Sequence, residues 1–413
     1  MPEFLKLVSI DEARQILLRY LPGVEKKEEE IETLHARGRV LSRDVTADED
    51  LPAFTRSSMD GFAVRASDTY GASDSLPAYL NLVGEVGMGK MPGFVVGKEQ
   101  AAAIHTGGML PQGADAVVMM ENAQIFDNLK VEIYKPVSAG DNLILAGEDV
   151  RAGEIVLRSG TLLRPEEIGG LLALGKTQVF VHAKPVVHIF SSGDELVDAG
   201  STLQPGQVRD INSPMLAALV ESCGGIPIIH SIIPDDSCVL EDAIRQIITE
   251  ADLIVITAGS SASARDMTAE VIGRFGKPGV LVHGINIRPG KPTILAVCDG
   301  KPIIGLPGNP VSALIVARKL VKPLISKLAG QTLHELDTTV EARLTLNLAS
   351  TAGRDDFLPA MLEKTGRSYE VTPIFFKSNL IFSLSRANGL IHIPADVTGC
   401  AAGDLVEVML IQW

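Results

Sequence analysis

Three short apolar runs in the middle of the chain each end in residues that can do chemistry. Residues 186–190 run into Ser191-Ser192-Gly193-Asp194-Glu195. Residues 253–256 run into Thr257-Ala258-Gly259-Ser260-Ser261-Ala262-Ser263-Ala264-Arg265-Asp266, with a helix following. Residues 303–306 run into Pro307-Gly308-Asn309-Pro310, again with a helix following. In the second of these, the hydroxyls of Thr257, Ser260, Ser261 and Ser263 and a flexible backbone ahead of a helix are the parts of a phosphate or pyrophosphate cradle. The same text serves equally well as an ordinary strand-to-helix turn. It is neither a Walker loop, which needs Gly-Lys-Ser/Thr, nor a three-glycine dinucleotide fingerprint. In the third, Pro307 fixes the approach, Gly308 allows a tight turn, Asn309 can cap, and Pro310 sits where a helix tolerates proline. Just upstream, Ile287-Arg288-Pro289-Gly290-Lys291-Pro292 sets two cations in a rigid Pro-Gly frame, which favours a fixed anion contact.

Carboxylates gather at the same run ends: Asp194, Glu195, Asp235, Asp236 and Asp266. Mg²⁺ is held by one or two such oxygens beside a phosphate, so together they point to metal-assisted phosphoryl chemistry. Singly, each reads as a helix cap, most clearly Asp235 after Pro234.

The elements that must position these groups follow from the surrounding pattern. Apolar runs at 186–190, 226–233, 253–256 and 303–306 alternate with helical patterns, the signature of βα units around a buried, mostly parallel sheet. Ligands bind beyond the carboxyl ends of such strands. After Asn212 the grammar is that of a helix: Asn212 as cap, Pro214 in the first turn, Gly224-Gly225 past the end. A first helix starts from the cap Ser9, with Glu12 three residues on and an apolar stripe of Ile10, Ala13, Ile16, Leu17 and Tyr20; Pro22-Gly23 stops it. The acidic run 28–30 reads as the solvated start of another helix. From 51 to 140, Gly and Pro punctuate short alternating segments such as 97–104 and 129–134, which suits a small β-domain. Arg164-Pro165-Glu166-Glu167 opens a further helix, and 331–413 is alternating and β-branched, ending in 404–411.

The expected architecture is therefore α/β and multidomain. Residues 1–50 with 141–180 form an N-terminal mixed α/β domain, 51–140 an inserted β-domain, 181–330 the central α/β domain, and 331–413 a small C-terminal β-domain. A length of 413 residues requires several cores.

Composition narrows the function. Hydrophobic residues at 46% and charged residues at 21% mark a soluble globular chain, and a net charge of −14 removes the basic face that nucleic acid or an anionic membrane needs. Any anion must be held by a local cluster of donors. No run nears the roughly 18 apolar residues that span a bilayer, and the first twenty residues lack the layout of a signal peptide. Cys223, Cys238, Cys298 and Cys400 are scattered and the histidines show no ligand spacing, against disulfides and structural zinc. The expected compartment is the cytoplasm.

Further text carries a resemblance. Leu51-Pro52-Ala53-Phe54, then Ser57-Ser58-Met59-Asp60-Gly61-Phe62-Ala63-Val64-Arg65, resembles the signature of the molybdopterin molybdenumtransferases, the bacterial MoeA proteins and the gephyrin E domain. Thr106-Gly107, Gly113-Ala114-Asp115-Ala116-Val117-Val118, Gly147-Glu148-Asp149, Ser192-Gly193-Asp194-Glu195-Leu196, Pro289-Gly290-Lys291-Pro292 and Gly305-Leu306-Pro307-Gly308-Asn309-Pro310 follow in the family's order. The sequence departs from the family at Gly259-Ser260 and Ala264-Arg265-Asp266, where further glycines are usual. It also departs at Ile144, where an arginine is common, and at Thr55-Arg56.

The resemblance implies a molybdopterin-binding α/β domain, an elongated N-terminal domain and a C-terminal domain of barrel-like form. It implies a homodimer whose site lies between the α/β domain of one chain and the inserted domain of the other. The implied reaction takes adenylated molybdopterin and molybdate, hydrolyses the adenylate with Mg²⁺ and releases AMP. Carried over by motif, Asp60, Glu195, Asp235 and Asp266 are catalytic, with Glu195 and Asp266 facing the metal. Thr106, Gly259, Ser260, Ser261, Ser263, Arg288, Lys291, Pro307, Gly308, Asn309, Pro310, Arg354 and Ser378 hold substrate. Other cofactor-biosynthesis proteins are the implied partners. Two alternatives stand beside this reading: a molybdopterin adenylyltransferase, which needs ATP, and a non-catalytic carrier or scaffold for the pterin.

Overall fold

The computed structural model describes residues 7–21, 27–127, 129–258, 262–332 and 338–411. Its described residues form three six-stranded sheets and several two-stranded ribbons. The central sheet runs in the order Ile226–Ile229, Val186–Ser191, Leu253–Ala258, Lys301–Pro307, Ile294–Cys298, Pro278–His283. Its first three pairings are parallel and its last two antiparallel. Every residue of Leu253–Ala258 is buried, because helices cover both faces.

Strand alternation divides that sheet between two cores. Val187, Ile189, Leu253, Val255, Ile304 and Leu306 face one cluster with the helices Asn212–Ser222 and Pro310–Val316. Phe190, Ile254, Ile256 and Ile303 face the other, with Ser237–Ile247 and Ala262–Gly273. Pro310–Val316 passes through a π-helical turn, Ala317–Val321, into Lys322–Leu328.

The first helix, Ile10–Tyr20, is capped as expected, with the Glu12 amide donating to Ser9 Oγ at 3.1 Å. Its buried residues Ile10, Ala13 and Leu17 belong to the first of these cores, so it docks on the α/β unit. Pro22 and Gly23 lie outside the described residues. The acidic run is not a helix start. Glu28–Glu32 is a strand, paired antiparallel with Gln178–His182. The acidic side chains are satisfied by the nearby 39–43 segment: Glu28 accepts from Ser42 Oγ at 2.6 Å and Arg43 Nε at 2.9 Å, and Arg39 binds Glu29. Ile155–Leu157 pairs with Val45–Thr46, and Ala36, Leu41, Leu163, Leu171, Val179 and Val181 share one small core. The helix Pro165–Ala173 opens with Glu167 reaching back to Arg164, whose amide donates to Glu167 Oε2 at 2.8 Å and whose Nη2 donates to Oε1 at 2.6 Å.

Between these segments the chain builds a sheet in the order Ala116–Met119, Gly61–Val64, Gln100–Ile104, Ala78–Val86, Lys130–Ile133, Ala123–Asp127. Gly61 is obligatory there, since a Cβ would lie 1.9 Å from Val118 O. At the C-terminal end a barrel closes because Asp355–Thr365 pairs with both Ser368–Pro373 and Gly389–Ile393. Thr339–Leu344 and Leu405–Leu410 complete it. The two-residue strand Ile287–Arg288 pairs with Asp355 and Asp356, stitching the barrel to the central α/β unit. No described helix is long and apolar enough to cross a membrane.

The docking of the first helix is testable. Leu17 is 1% exposed, so Leu17→Ala should cost about 2–5 kcal/mol. Faster hydrogen exchange in Leu253–Ala258 under mild denaturant would register it; exchange there at the wild-type rate would mean that the helix does not support the core.

Candidate functional site

Two cavities meet at the turn after the strand Lys301–Pro307. The larger, about 690 Å³, is lined by Arg288, Lys291, Arg354 and Lys377 together with Ser378 and the turn residues Pro307, Gly308 and Asn309. The smaller, about 300 Å³, is lined by Glu195, Asp210, Asn212, Thr257 and again Gly308, Asn309 and Pro310. Gly308 and Asn309 are thus a shared wall.

The cations of the larger cavity are carried by buried backbone. Pro289 and Gly290 are buried while Arg288 and Lys291 are exposed. Gly290 has φ of 126°, and a Cβ there would lie 2.4 Å from Val316 Cγ2, so only glycine allows this approach. Thr293 Oγ1 donates to Gly290 O at 2.7 Å, and the Ile285 and Thr293 amides both donate to Lys291 O at 2.9 Å. The loop is therefore pinned on both sides of the lysine.

Arg288 and Arg354 share a carboxylate that sequence reasoning missed. Asp356, 1% exposed, accepts from Arg354 Nε at 2.9 Å, Ser350 Oγ at 3.0 Å and Arg288 Nη1 at 3.4 Å. Its signal was a second carboxylate, after Asp355, ahead of the apolar stretch 357–362 of the strand Asp355–Thr365, two residues past Arg354. Lys377, beside Ser378, was missed as well. Asn309 stands at the N-cap position without capping. Its Nδ2 donates instead to Ser378 Oγ at 2.9 Å, and the Val311 amide donates to Ser378 O. The reason is competition: a barrel hydroxyl lies within reach of the amide.

Two other caps also differ from expectation. Asp210, not Asn212, caps the helix Asn212–Ser222, accepting from the Asn212 and Ser213 amides at 3.0 and 3.2 Å. Asn212 Nδ2 reaches across to Gly308 O at 2.8 Å. Asp236, not Asp235, caps Ser237–Ile247. That frees Asp235, which accepts from Ser192 Oγ at 2.7 Å and whose amide donates to Asp194 Oδ1 at 3.2 Å. The Asp194 carboxylate is so held at the Asp235 backbone, one residue before Glu195 in the chain.

Asp266 does not end a loop. The helix Ala262–Gly273 starts before it, in keeping with the alanines at 262 and 264, and places Asp266 in its second turn. The side chain is 76% exposed, 3.9 Å from His283 Nε2. Gly259, Ser260 and Ser261 lie outside the described residues, and Ser263 falls in the first turn of that helix. Among the described residues no three His, Cys, Asp or Glu side chains converge as a metal cage.

Asp60 and Thr106 meet at one end of the inserted sheet, just before Gly61–Val64 and just after Gln100–Ile104, and line neither cavity. The Thr106 amide donates to Asp60 Oδ1 at 2.8 Å, and this bond holds the carboxyl below its usual range. His105, 3.0 Å from Glu85 and 3.5 Å from Asp60, is pushed up, first by the Glu85 contact.

Comparison with known proteins gives a consistent family. Residues 8–175 match the family model described as MoeA N-terminal region (domain I and II), 188–327 the probable molybdopterin binding domain, and 341–411 the MoeA C-terminal region (domain IV). A putative molybdopterin biosynthesis protein of Methanocaldococcus jannaschii is 35% identical over 396 residues, covering 94% of this chain and 93% of its own. The molybdopterin molybdenumtransferase of Bacillus subtilis is 33% identical, covering 91% of this chain and 87% of its own. A crystal structure of the molybdopterin biosynthesis MoeA protein of Pyrococcus horikoshii superposes with a TM-score of 0.84 at 32% identity, over 98% of this chain and all of that one.

The Asp60 contact sets a pH expectation. A carboxyl lowered in the folded state stabilises it above the unfolded value, and that contribution is lost as pH falls through the folded value. The Asp60 titration followed by NMR should therefore lie below that of free aspartate. Because the backbone amide is the main cause, Thr106→Ala should keep most of the shift; a full return to the ordinary value would contradict this assignment.

Proposed function

The chain belongs to the MoeA family of molybdopterin molybdenumtransferases, enzymes of molybdenum cofactor biosynthesis, and from that premise we propose that it inserts molybdate into adenylated molybdopterin, with Mg²⁺-dependent hydrolysis of the adenylate and release of AMP. The observation that carries this reading is the concentration of Arg288, Lys291, Arg354 and Lys377 around one cavity in a chain of net charge −14. At long range such a protein repels oxyanions, so affinity must come from close donors in a confined space. Phosphate and molybdate are suitable occupants, both being oxyanions that accept from guanidinium and ammonium groups.

The catalytic carboxylates in this reading are Asp60, Glu195, Asp235 and Asp266. Mg²⁺ needs no protein cage: it keeps waters and takes one or two carboxylates beside phosphate oxygens. Glu195 and Asp266 would hold it, and Asp194 and Asp235, tied to the same 192–195 segment by hydrogen bonds, are further oxygen donors of the kind the ion takes. When bound, the ion would offset phosphate charge as the adenylate is cleaved. This chain's own part is to seat the anion on Arg288 and Lys291 and to orient the substrate against the 307–310 turn. Thr106, Ser263, Arg354 and Ser378 join the 259–261 segment as further substrate contacts. The cytoplasm is the setting this reading calls for, with other cofactor-biosynthesis proteins as neighbours.

We assign a homodimer as the working unit. Asp60 and Thr106 line neither cavity of their own chain, which supports their entry from a second copy.

Incubation with adenylated molybdopterin, Mg²⁺ and molybdate should yield AMP and a metal-loaded pterin. A charge-assisted contact is worth about 1.5–3 kcal/mol, so Arg288→Ala and Lys291→Ala should each weaken substrate binding by roughly ten- to a hundredfold. Bound pterin with no AMP released would replace the enzyme by a carrier; ATP dependence would replace it by an adenylyltransferase. The shared site has its own test. A mixed dimer of one Asp60→Ala chain and one Asp266→Ala chain retains one intact site, hence roughly half the wild-type rate. A dead mixed dimer, with assembly confirmed, would place each site within one chain.

A further inference from the structure

The smaller cavity holds a polar group with nothing to bind. Asn212 is 8% exposed and lines the cavity. Its Nδ2 is committed to Gly308 O, while its Oδ1 has no hydrogen-bond partner among the described residues. A buried acceptor left unmatched is costly and uncommon, and it marks a place where a donor belongs.

A second acceptor stands two residues away. Asp210 Oδ1 is fixed by Ser191 Oγ at 3.0 Å and by the two helix amides. Ser191 Oγ in turn lies 2.8 Å from Ser213 Oγ and 2.9 Å from Thr257 Oγ1, all in the buried interior. This hydroxyl hub locks the carboxylate in one orientation, and its Oδ2 has no partner among the described residues. Glu195 adds a further carboxylate to the wall. Arg209 also lines the cavity, with its Nη2 turned to Ser201 O at 3.1 Å. At Asn212 and Asp210 the wall therefore offers two acceptors, two residues apart in the chain.

We propose that this cavity reads the donor edge of a fused heterocycle, the ring N–H and exocyclic amine of a 2-amino-4-oxo pyrimidine ring, through Asn212 Oδ1 and the Asp210 carboxylate. The proposal rests on the pterin substrate assigned above and specifies which end of it enters which cavity. Adenine fits poorly, because its ring nitrogens on the Watson–Crick edge include an acceptor and it brings only the exocyclic amine as donor. A pterin presents two donors side by side. The cations of the larger cavity stand on the other side of the shared Gly308-Asn309 wall, where the phosphate end of the same molecule would be received.

The test compares ligands that differ at one group. The full-length protein is titrated by fluorescence with pterin and with lumazine, in which a carbonyl replaces the 2-amino group. A site built to accept from that amine should bind pterin about tenfold or more tightly than lumazine. Asn212→Leu should bring the two affinities together. Asp210→Asn, which keeps a good helix cap while turning one acceptor into a donor, should shrink the preference and safeguards against a fold defect in the first variant. Guanosine monophosphate carries the same edge, and binding as tight as pterin's would overturn the pterin as the ligand. Equal affinity of the wild type for pterin and lumazine, or an unchanged ratio in both variants, would overturn the proposal. AMP release is scored in parallel: release without a pterin preference sinks this edge-reading alone, while absence of release sinks the transferase reading itself.

Discussion

One nearly buried carboxylate holds together the seam between the central α/β unit and the C-terminal barrel. Asp356 is the second residue of the barrel's longest described strand, beside the short strand that the α/β unit contributes, and binds one arginine from each side of that seam. Leaving a buried charge unpaired costs several kcal/mol, so neither arginine can drift without penalty. The consequence is geometric. Cations that would otherwise wave in solvent are held at a fixed spacing, opposite a lysine whose own loop is pinned through its carbonyl. A chain of strongly negative charge can in this way keep a small positive region that does not collapse onto its surplus of carboxylates.

Much of this was legible in the chain because the signals are local. Apolar runs such as 253–256 revealed the buried strands, since helices on both sides leave no polar alternation to confuse them. Ser9 with Glu12, and Arg164 with Glu167, announced helix starts through contacts three residues apart. The 307–310 turn and the Arg288–Lys291 pair stood out by their prolines and glycines, and they do share one cavity wall.

What escaped was tertiary. The strand Glu28–Glu32 looks like nothing of the kind until Arg39 and Arg43 arrive beside it. Asn212, Asp235 and Asn309 each occupy a plausible capping position, yet each is drawn off by a distant partner: Gly308, Ser192 and Ser378. A local rule cannot foresee that competition, because the winning partner lies tens of residues away in sequence. Such diverted polar groups cluster where the cavities are, as expected if local regularity yields first at places built to bind. The Asp356 carboxylate was missed for the same reason, being defined by what it joins.

The Gly308-Asn309 wall also has a thermodynamic meaning. It is tethered from one side by the Asn212 amide and from the other by Ser378, so a displacement of the peptide is felt in both cavities. A ligand that shifted this peptide from one side would change the energy of occupying the other, and linkage would make the influence equal in both directions. Such a peptide makes the order of arrival matter: the first guest prepares, or refuses, the seat of the second.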